Sequence, residues 1–474
     1  MKIISNFFSR PIEGILFLLV GGLSIILLTT QYYYYAVIPS LALLLLFLIA
    51  RYPDIGYYAI VFVIPFAAFR GLSETYTYLR IHWILAFILI ILIAFQLVFR
   101  KIDLKSFRSN LWPWFGFLFV SSLLSAFLSD FPEPSFTQIF LLIVAYMFFT
   151  INLASLSFDG FTKTLPKILI LSVSLSALLG ILGSVANIPL FVHPLSPPSF
   201  KRSIGGSLDP NNLSLMIIFT LPLLAHWFFS SKNISEKVFI AVVSLIDIIA
   251  IITTYSRGGA IILSLVLLLI FITHMKKLRP KHLGFLGLFI ISALVAAAIM
   301  IPSGYWERQK SVTSAQEDKA IARRVSYLQV GWEIFKEHPI TGAGPGTFKY
   351  LYESTDYARM FGAERDDLRR YAHNTYLEFL IGGGLLGLLL FLIIVLIAMK
   401  NFMMSRKNYI SQGNQHMVSL INAYQISFVS LLIYLFIFSD MYHKYLLISL
   451  ALSQVALNLS RVPGSGSGGD SNYN

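Results

Sequence analysis

The sequence predicts an all-α polytopic membrane protein with about 12–14 transmembrane helices and a helical loop outside the membrane. Of the 474 residues, 57% are apolar and only 12% are charged, whereas about a quarter of the residues in an average soluble domain are charged. The apolar residues occur in blocks of about 17 to 25, the length that a helix needs to cross a bilayer. These observations argue against a soluble enzyme and exclude a disordered chain. The absence of cysteine excludes disulfides and thiolate metal sites.

Fourteen apolar blocks are candidate membrane helices. They lie near residues 12–30, 35–50, 55–69, 81–99, 111–128, 135–153, 167–186, 211–230, 238–256, 259–275, 284–301, 373–399, 421–437 and 445–460. Because the third block is short and the first two are hard to divide, twelve or thirteen crossings are the alternatives.

The charges of the connecting loops predict the orientation. Lys and Arg cluster in the loops at 100–108, 276–281 and 400–407, whereas opposite loops such as 129–134 contain none. This positive-inside pattern places both termini in the cytoplasm and residues 302–372 outside. It also explains the net charge of +13 without a nucleic-acid partner. We therefore expect a transmembrane bundle at 1–301, an outer loop domain at 302–372, C-terminal transmembrane helices at 373–460 and a flexible Gly/Ser-rich tail at 461–474.

The outer segment contains two local signals. Residues 323–336 predict an amphipathic helix, because Val325, Leu328, Trp332 and Phe335 recur at helical spacing. The glycines at 342–346 predict a tight turn rather than a nucleotide-binding loop, since no Gly-Lys-Ser/Thr ending follows them.

His373 stands at the outer start of a predicted membrane helix, followed by Asn374. The positive end of the helix dipole disfavours a charged imidazole, so His373 should stay neutral and able to act as a general base. The alternative is that His373 and Asn374 only cap the helix. The glycines at 382–387 predict close packing against another helix.

Two further strings contain basic residues on the outer side. Arg257 follows Ser256 in a short turn between two predicted helices, and its planar guanidinium suits a phosphate. Lys201 and Arg202 precede Asp209, where the next helix should start, and this pair would clamp an anion. The alternatives are a snorkelling interfacial arginine and an ordinary basic pair on a loop.

Three acidic features are weaker signals. The adjacent residues Asp366 and Asp367 are a poor candidate for a metal site. Asp247 and Glu378 lie inside predicted helices, where ionisable groups are functional suspects. Asp247 would serve a proton relay in a transporter or a hydrogen bond to a neighbouring helix.

Outer arginines on separate segments, together with one histidine, suggest transfer chemistry on an anionic, lipid-anchored donor. The arginines would hold a diphosphate leaving group in place of a metal ion. A neutral His373 would take the proton from an attacking hydroxyl.

Three segments resemble the bacterial O-antigen ligase and polymerase superfamily (Wzy_C family, WaaL-like O-antigen ligases). They are Ser256-Arg257-Gly258-Gly259, the run from Arg324 through Trp332 to the glycines at 342–346, and His373-Asn374 followed by Gly384 and Gly387. The resemblance covers residues from about 200 to 400. In this sequence, as in the family, the long outer loop precedes the helix that starts with the histidine.

The resemblance implies a GT-C-like glycosyltransferase in the bacterial inner membrane, with its active site on the periplasmic side and no cofactor or metal. The implied donor is an undecaprenyl-diphosphate-linked glycan. The acceptor would be lipid A-core in a ligase, or a lipid-linked glycan in a polymerase, and the transfer would invert the anomeric centre. Arg202, Arg257 and Arg324 resemble the diphosphate-binding arginines, and His373 resembles the catalytic histidine. Asn374, Lys201 and Ser256 are expected to support them.

The residues alone leave two other functional classes open. A transporter of lipid-linked sugar should show related halves and charged or broken helices at mid-membrane, and the sequence shows no related halves. A membrane scaffold whose outer loop binds partners would not depend on His373.

Overall fold

The protein is helical throughout the part of the chain that its structure describes. The computed structural model describes residues 10–30, 52–66, 81–98, 104–194, 201–207, 209–275, 319–362 and 368–461, with Ile49, Ser196, Gly284, Gly287 and Ile291 as isolated positions. These residues form α-helices, short 3₁₀ turns, one π-helical turn and one isolated β-bridge, but no β-strand. The predicted all-α class is confirmed.

Fifteen α-helices lie in these described ranges. They are α1 (Arg10–Leu28), α2 (Pro53–Val63), α3 (Ile81–Val98), α4 (Trp112–Phe127), α5 (Pro132–Ser155), α6 (Leu165–Ala186), α7 (Pro210–Ser230), α8 (Ile234–Thr253), α9 (Arg257–His274), α10 (Lys319–Glu337), α11 (Phe348–Glu353), α12 (Asp356–Gly362), α13 (Thr375–Ser411), α14 (Gln415–Tyr434) and α15 (Lys444–Ser460).

Many of these helices are long and apolar enough to span a membrane. Six meet that description by length and composition: α5, α6 with its preceding turn, α7, α9, α13 and α14. Five shorter apolar helices accompany them, within α1 to α4 and at α15. Twelve of the fourteen predicted blocks therefore coincide with a helix. The blocks at 35–50 and 284–301 lie outside the described residues, apart from isolated positions. The helices that the structure describes make the chain a polytopic membrane protein.

The centre of the bundle is formed by α7 and α14, which pack closely on each other. Two thirds of the residues of α7 are buried, and Tyr424, Phe428 and Tyr434 of α14 are fully buried. The peripheral helices instead expose large apolar side chains, as expected for surfaces that face lipid. The end of the bundle at which α7 and α9 begin is called the outer end, because the loop charges predict that this end faces outside.

A second, smaller apolar cluster lies at this outer end. Tyr327, Val330 and Ile334 of α10 pack with Phe348 and Tyr352 of α11. The first turns of α13 also belong to the cluster, so the outer segment is packed against the start of a membrane helix.

The long helix α13 is interrupted near its start at Gly384, whose φ of 63° and ψ of −161° are not helical. The turn at 342–346 fills the break. The Ala343 N–H donates to the Ile381 carbonyl at 2.8 Å, and the Leu385 N–H donates to the Pro339 carbonyl at 2.9 Å. Irregular backbone at a membrane helix is tolerated when such partners satisfy it.

Two glycine strings therefore pack backbone to backbone. The sequence predicted that the glycines at 382–387 allow another helix to approach, but the structure places the turn at 342–346 there. The approach is so close that a side chain on Gly384 would collide with the Ile340 carbonyl, and one on Gly342 would collide with the Gly384 backbone.

The amphipathic helix predicted at 323–336 forms as α10, but its predicted apolar stripe is not buried. Val325, Leu328 and Trp332 are exposed, while Tyr327 and Val330 on the opposite face are buried. The spacing of apolar residues correctly indicated a helix, and it selected the face that does not pack against the protein.

Candidate active site

Arg202 lies in the loop between α6 and α7, which folds back on itself at the outer end. An antiparallel bridge joins Val192 to Ser203, and the Arg202 carbonyl accepts a hydrogen bond from the His193 N–H at 2.9 Å. The Arg202 Nε donates to the Thr254 carbonyl at 3.1 Å. The arginine is therefore held against the end of α8.

Arg257 is the first residue of α9, directly after the short turn that the sequence predicted. Ser256 caps the helix, since its Oγ accepts from the Gly259 N–H at 3.0 Å and donates to Asn211 Oδ1 at 2.8 Å. Tyr255 adopts a left-handed φ of 53° to make the turn. Ser256 is thereby fixed between α7 and α9, and Arg257 projects from a rigid corner.

Arg323 and Arg324 come from the start of α10. Because successive helical residues point in different directions, the two guanidinium groups enter the site from different sides of the helix. Tyr327, one turn later, stacks on the ring of His373 with 6.0 Å between the ring centroids. The α10 helix thus contributes both charge and a rigid aromatic support.

His373 lies two residues before α13 in a left-handed conformation, with a φ of 49°. Asn374 is the helix cap: its Oδ1 accepts from the Tyr376 N–H at 3.0 Å and from the Leu377 N–H at 3.1 Å. The cap role therefore falls on Asn374, and the His373 side chain faces the arginines.

A buried carboxylate holds the loop around His373. The Glu378 Oε1 accepts from the Ala372 N–H at 2.9 Å and from the Ser439 hydroxyl at 3.2 Å. Ser439 Oγ in turn accepts from the Asn374 N–H at 3.0 Å. These bonds, on both sides of His373, explain how the left-handed backbone is maintained.

These segments surround one cavity of about 430 Å³ at the outer end. It is lined by His193, Arg202, Asp209, Asn211, Tyr255, Ser256, Arg257, Gly258, Ile261, Ile321, Arg323, Arg324, Tyr327, Arg370, His373 and Ile437. Five of these residues are arginines and one is a carboxylate, so the cavity is strongly basic. Such a cavity suits a dense anion such as a diphosphate.

The electrostatic environment keeps His373 neutral. Burial lowers the pKa of its imidazole to about 4, from an ordinary value of 6.5, and the charges of Arg324, Arg323 and Arg370 act in the same direction. Asp209 opposes them only in part. The sequence attributed neutrality to the helix dipole, whereas the structure attributes it mainly to burial and neighbouring arginines. At neutral pH the imidazole can accept a proton.

The arginines also act on one another. Burial lowers the pKa of Arg202, and the charges of Arg257 and Arg324 contribute in the same direction. Burial likewise lowers the pKa of Arg324, with contributions from Arg257 and Arg323. Like charges held this close gain stability when an anion binds among them.

The structure brings together most of the site residues that the sequence selected. Arg202, Arg257, Arg324, His373 and Ser256 all line the cavity. Asn374 supports it from the cap of α13. Lys201 is exposed and is not among the lining residues.

The lining residues that sequence reasoning did not select include Arg323, Tyr327 and Arg370. The Tyr327 hydroxyl is buried and has no hydrogen-bond partner among the described residues. Buried hydroxyls normally have one, so this group is available to a bound ligand. The adjacent arginines at 323–324 are a sequence pattern that could have indicated Arg323, whereas no sequence pattern indicated Tyr327.

The other polar candidates lie elsewhere. Asp247 is buried between membrane helices, where its Oδ2 accepts from the Ser174 hydroxyl at 2.9 Å, as in the helix-to-helix alternative. Asp366 and Asp367 lie outside the described residues. Within the described ranges, no group of three or more His, Asp or Glu side chains is arranged to hold a metal ion.

Comparison with known protein families matches residues 240–392 to the family Wzy_C, described as O-antigen ligase. No curated protein matches the chain. The matched segment contains Arg257, Arg324 and His373, and Arg202 precedes it. The match supports a membrane enzyme of the type that ligates or polymerises lipid-linked glycans. Over residues 240–392, about a third of its length, the chain is similar to the O-antigen ligase family.

Proposed function

We propose that the protein is a metal-independent, inverting glycosyltransferase of GT-C-like architecture. It moves an undecaprenyl-diphosphate-linked glycan onto a sugar hydroxyl of lipid A-core, as an O-antigen ligase. The observation that carries this proposal is the cavity in which arginines from four separate segments surround a neutral histidine. The cavity lies at the outer end, which is the periplasmic side if the protein spans the bacterial inner membrane with both termini in the cytoplasm.

Arg202, Arg257 and Arg324 bind the donor diphosphate in this mechanism. Guanidinium groups offer paired donors to phosphate oxygens, and they stabilise the negative charge that grows as the glycan leaves. Arg257 is fixed by the Ser256 cap and Arg202 by Thr254, so the donors are oriented before substrate binds. Lys201 would attract the anion from the rim.

His373 acts as the general base. The acceptor hydroxyl oxygen forms a bond to the anomeric carbon while the bond from that carbon to the diphosphate oxygen breaks. The electron pair leaves with undecaprenyl diphosphate, and the hydroxyl proton passes to the imidazole of His373. Because the acceptor attacks opposite the leaving group, the anomeric configuration inverts.

Donor binding should prepare His373 for this role. The bound diphosphate offsets the charges of Arg324 and its neighbours, so the pKa of His373 rises from about 4 when the donor is present. A general base is most effective when its pKa lies near the working pH. The arginines therefore couple donor binding to the strength of the base.

A polymerase that extends lipid-linked repeats is the alternative, since it requires the same donor chemistry and differs only in the acceptor. In this proposal the cavity lining binds the donor, and the family match does not separate the two acceptors. The products of the reaction distinguish them.

The test uses purified protein in vesicles with an undecaprenyl-diphosphate-linked oligosaccharide, alone or with lipid A-core, in the presence of EDTA. A ligase gives a shifted lipid A-core, whereas a polymerase gives a ladder of longer lipid-linked chains without added acceptor. Loss of product with EDTA, restored by a divalent cation, would contradict the metal-independent mechanism. Transport of the donor without any product would favour a carrier instead.

A further inference from the structure

The exposed half of α10 is divided into two different stripes. Val325, Leu328 and Trp332 are 46%, 52% and 55% exposed, and their spacing of three and four residues aligns them along one side of the helix. Such a row of large apolar side chains on a helix is stable when it contacts an apolar phase.

The adjacent stripe of α10 is polar. Gln329, Glu333 and Lys336 are exposed at a spacing of four and three residues, and the first two directly follow Leu328 and Trp332 in the sequence. With the buried face of Tyr327 and Val330, the helix has three sides: one packs on protein, one is apolar and one is polar. This division is typical of a helix that lies at a membrane surface, between lipid and water.

Both ends of α10 are held at the outer ends of membrane helices. Near its start, Arg324 shares the cavity with Arg257, the first residue of α9. After its end, the Ala343 carbonyl accepts from the Ser129 hydroxyl at 2.6 Å, in the turn between α4 and α5. Since both anchors are outer ends, α10 runs across the outer surface of the bundle rather than away from it.

Apolar side chains are also exposed near both ends of α10. Ile340, just after α10, is 69% exposed and its carbonyl accepts from the Leu386 N–H of α13 at 3.3 Å. Leu385 and Leu389 of α13 are exposed beside it. At the other end, Ile261 of α9 lines the cavity and is 66% exposed. Exposed apolar side chains of two spanning helices thus lie near both ends of α10.

We propose that α10 is an interfacial helix whose Val325, Leu328 and Trp332 side chains are inserted into the outer leaflet of the membrane. In this placement, lipid covers the three side chains. Trp332 sits at the level where tryptophan is enriched, the boundary of headgroup and acyl chain. Arg324 and the cavity entrance then lie at the height of lipid phosphates, so a lipid-linked anion reaches the arginines while its chain stays in the bilayer.

Single-cysteine labelling tests this placement, because the chain contains no cysteine. Leu328→Cys and its neighbour Gln329→Cys form a matched pair of exposed positions on the two stripes, and Trp332→Cys with Glu333→Cys forms a second pair. Each full-length variant is labelled with an environment-sensitive fluorophore and reconstituted in phosphatidylcholine–phosphatidylglycerol vesicles. Quenching by a doxyl lipid is compared with quenching by aqueous iodide.

We expect the doxyl lipid to quench the labels at 328 and 332 more strongly than those at 329 and 333, and iodide to show the opposite order. Equal iodide quenching within each pair would show that the apolar stripe faces water, and it would overturn the proposal. Protection of the labels at 328 and 332 from both quenchers would overturn it as well, because a protein surface would then cover the stripe. None of these outcomes depends on catalytic activity.

Discussion

His373 is the residue on which the proposed chemistry depends. Its ring stacks on Tyr327, its backbone is held by the Glu378 network, and its neighbours are basic. In the proposed mechanism, this combination fixes a neutral base beside the arginines that bind the anion. A histidine that only capped a helix would not need a left-handed backbone, and here Asn374 performs the capping.

Replacement of His373 by alanine should lower the transfer rate by about 10²- to 10⁴-fold, the usual effect of removing a positioned base. Donor binding should survive because the arginines are unchanged. His338→Ala is the matched control, since it removes a histidine of the same outer segment that does not line the cavity. A His373→Ala protein with most of its rate intact would rule out the base assignment.

The pH dependence of the rate reports the state of His373. The neutral imidazole is the active form and is populated above its pKa. Since that pKa is lowered to about 4, kcat/KM, which reflects the free enzyme, should fall only near pH 4 and not near 6.5. Arg370→Gln removes one of the charges that lower the pKa, so its acid limb should move to higher pH. An acid limb near 6.5 in both proteins would contradict this environment.

Arg257 should act through its geometry as well as its charge. Arg257→Ala should raise KM for the donor and lower kcat, and Arg257→Lys should restore only part of the activity because lysine lacks the paired donors. Arg359→Ala is the control, because that exposed arginine of α12 pairs with Asp356 and is not a lining residue of the cavity. Full rescue by lysine would mean that charge alone suffices.

The sequence identified the main residues of the site for a physical reason. Arg257 and His373 stand next to apolar blocks and Arg202 lies in the loop between two of them, so the sequence placed all three at one membrane surface. Arg370 was missed because it follows a charged run at 364–369 that resembles an ordinary solvent-exposed segment. Nothing in the spacing showed that Arg370 lines the same cavity as His373.

The break in α13 is the main feature at the level of elements. Gly384 has a backbone conformation accessible essentially to glycine alone, and the turn at 342–346 occupies the space beside it. The sequence could not reveal this break, because a glycine run inside an apolar block equally suits a continuous helix. The turn that occupies the break lies about forty residues earlier in the chain.

Gly384→Ala should destabilise the protein by at least the order of 1–3 kcal/mol expected for a strained backbone. Gly383→Ala is the matched control, since a side chain there would have no atom within 4 Å. Thermal unfolding in detergent should therefore show a lower apparent Tm for the first variant only. Equal Tm values for both variants would show that the break is not required.

The helix α10 shows a limit of periodicity in membrane proteins. In a soluble protein an apolar stripe marks the face that packs on the core. At a membrane surface the lipid is as apolar as a protein core, so the spacing of Val325, Leu328 and Trp332 cannot indicate which of the two they contact. Only the tertiary contacts of Tyr327 and Val330 show which face packs on protein.

At the scale of the whole molecule, the apolar blocks predicted the helices well because membrane crossing imposes a fixed length on them. Local signals also predicted where a helix begins. Pro210 is the first residue of α7, and the Asp209 carboxylate caps the helix by accepting from the Asn211 N–H at 2.7 Å. The convergence of four segments on one cavity depends on how the bundle packs, which no local signal encodes.

The orientation of the bundle can be tested with two conservative substitutions. Ser354→Cys lies in the outer segment, and Ser411→Cys lies at the far end of α13; both positions are exposed. A membrane-impermeant maleimide added to intact spheroplasts should label the first and spare the second, whereas lysed cells should show both labelled. Labelling of only Ser411→Cys in intact cells would invert the topology and place the cavity in the cytoplasm.

The length of α13 sets the height of His373 relative to the membrane. After the break at Gly384 the helix continues for 27 residues to Ser411, or about 40 Å, which exceeds a hydrocarbon core of about 30 Å. Its far half carries the exposed basic residues Lys400, Arg406 and Lys407, which fit the headgroups of the opposite leaflet. Through the break at Gly384, which the turn at 342–346 fills, this helix connects those headgroups to the segment that carries His373. Bilayer thickness therefore determines how far the base stands from the leaflet that holds the donor.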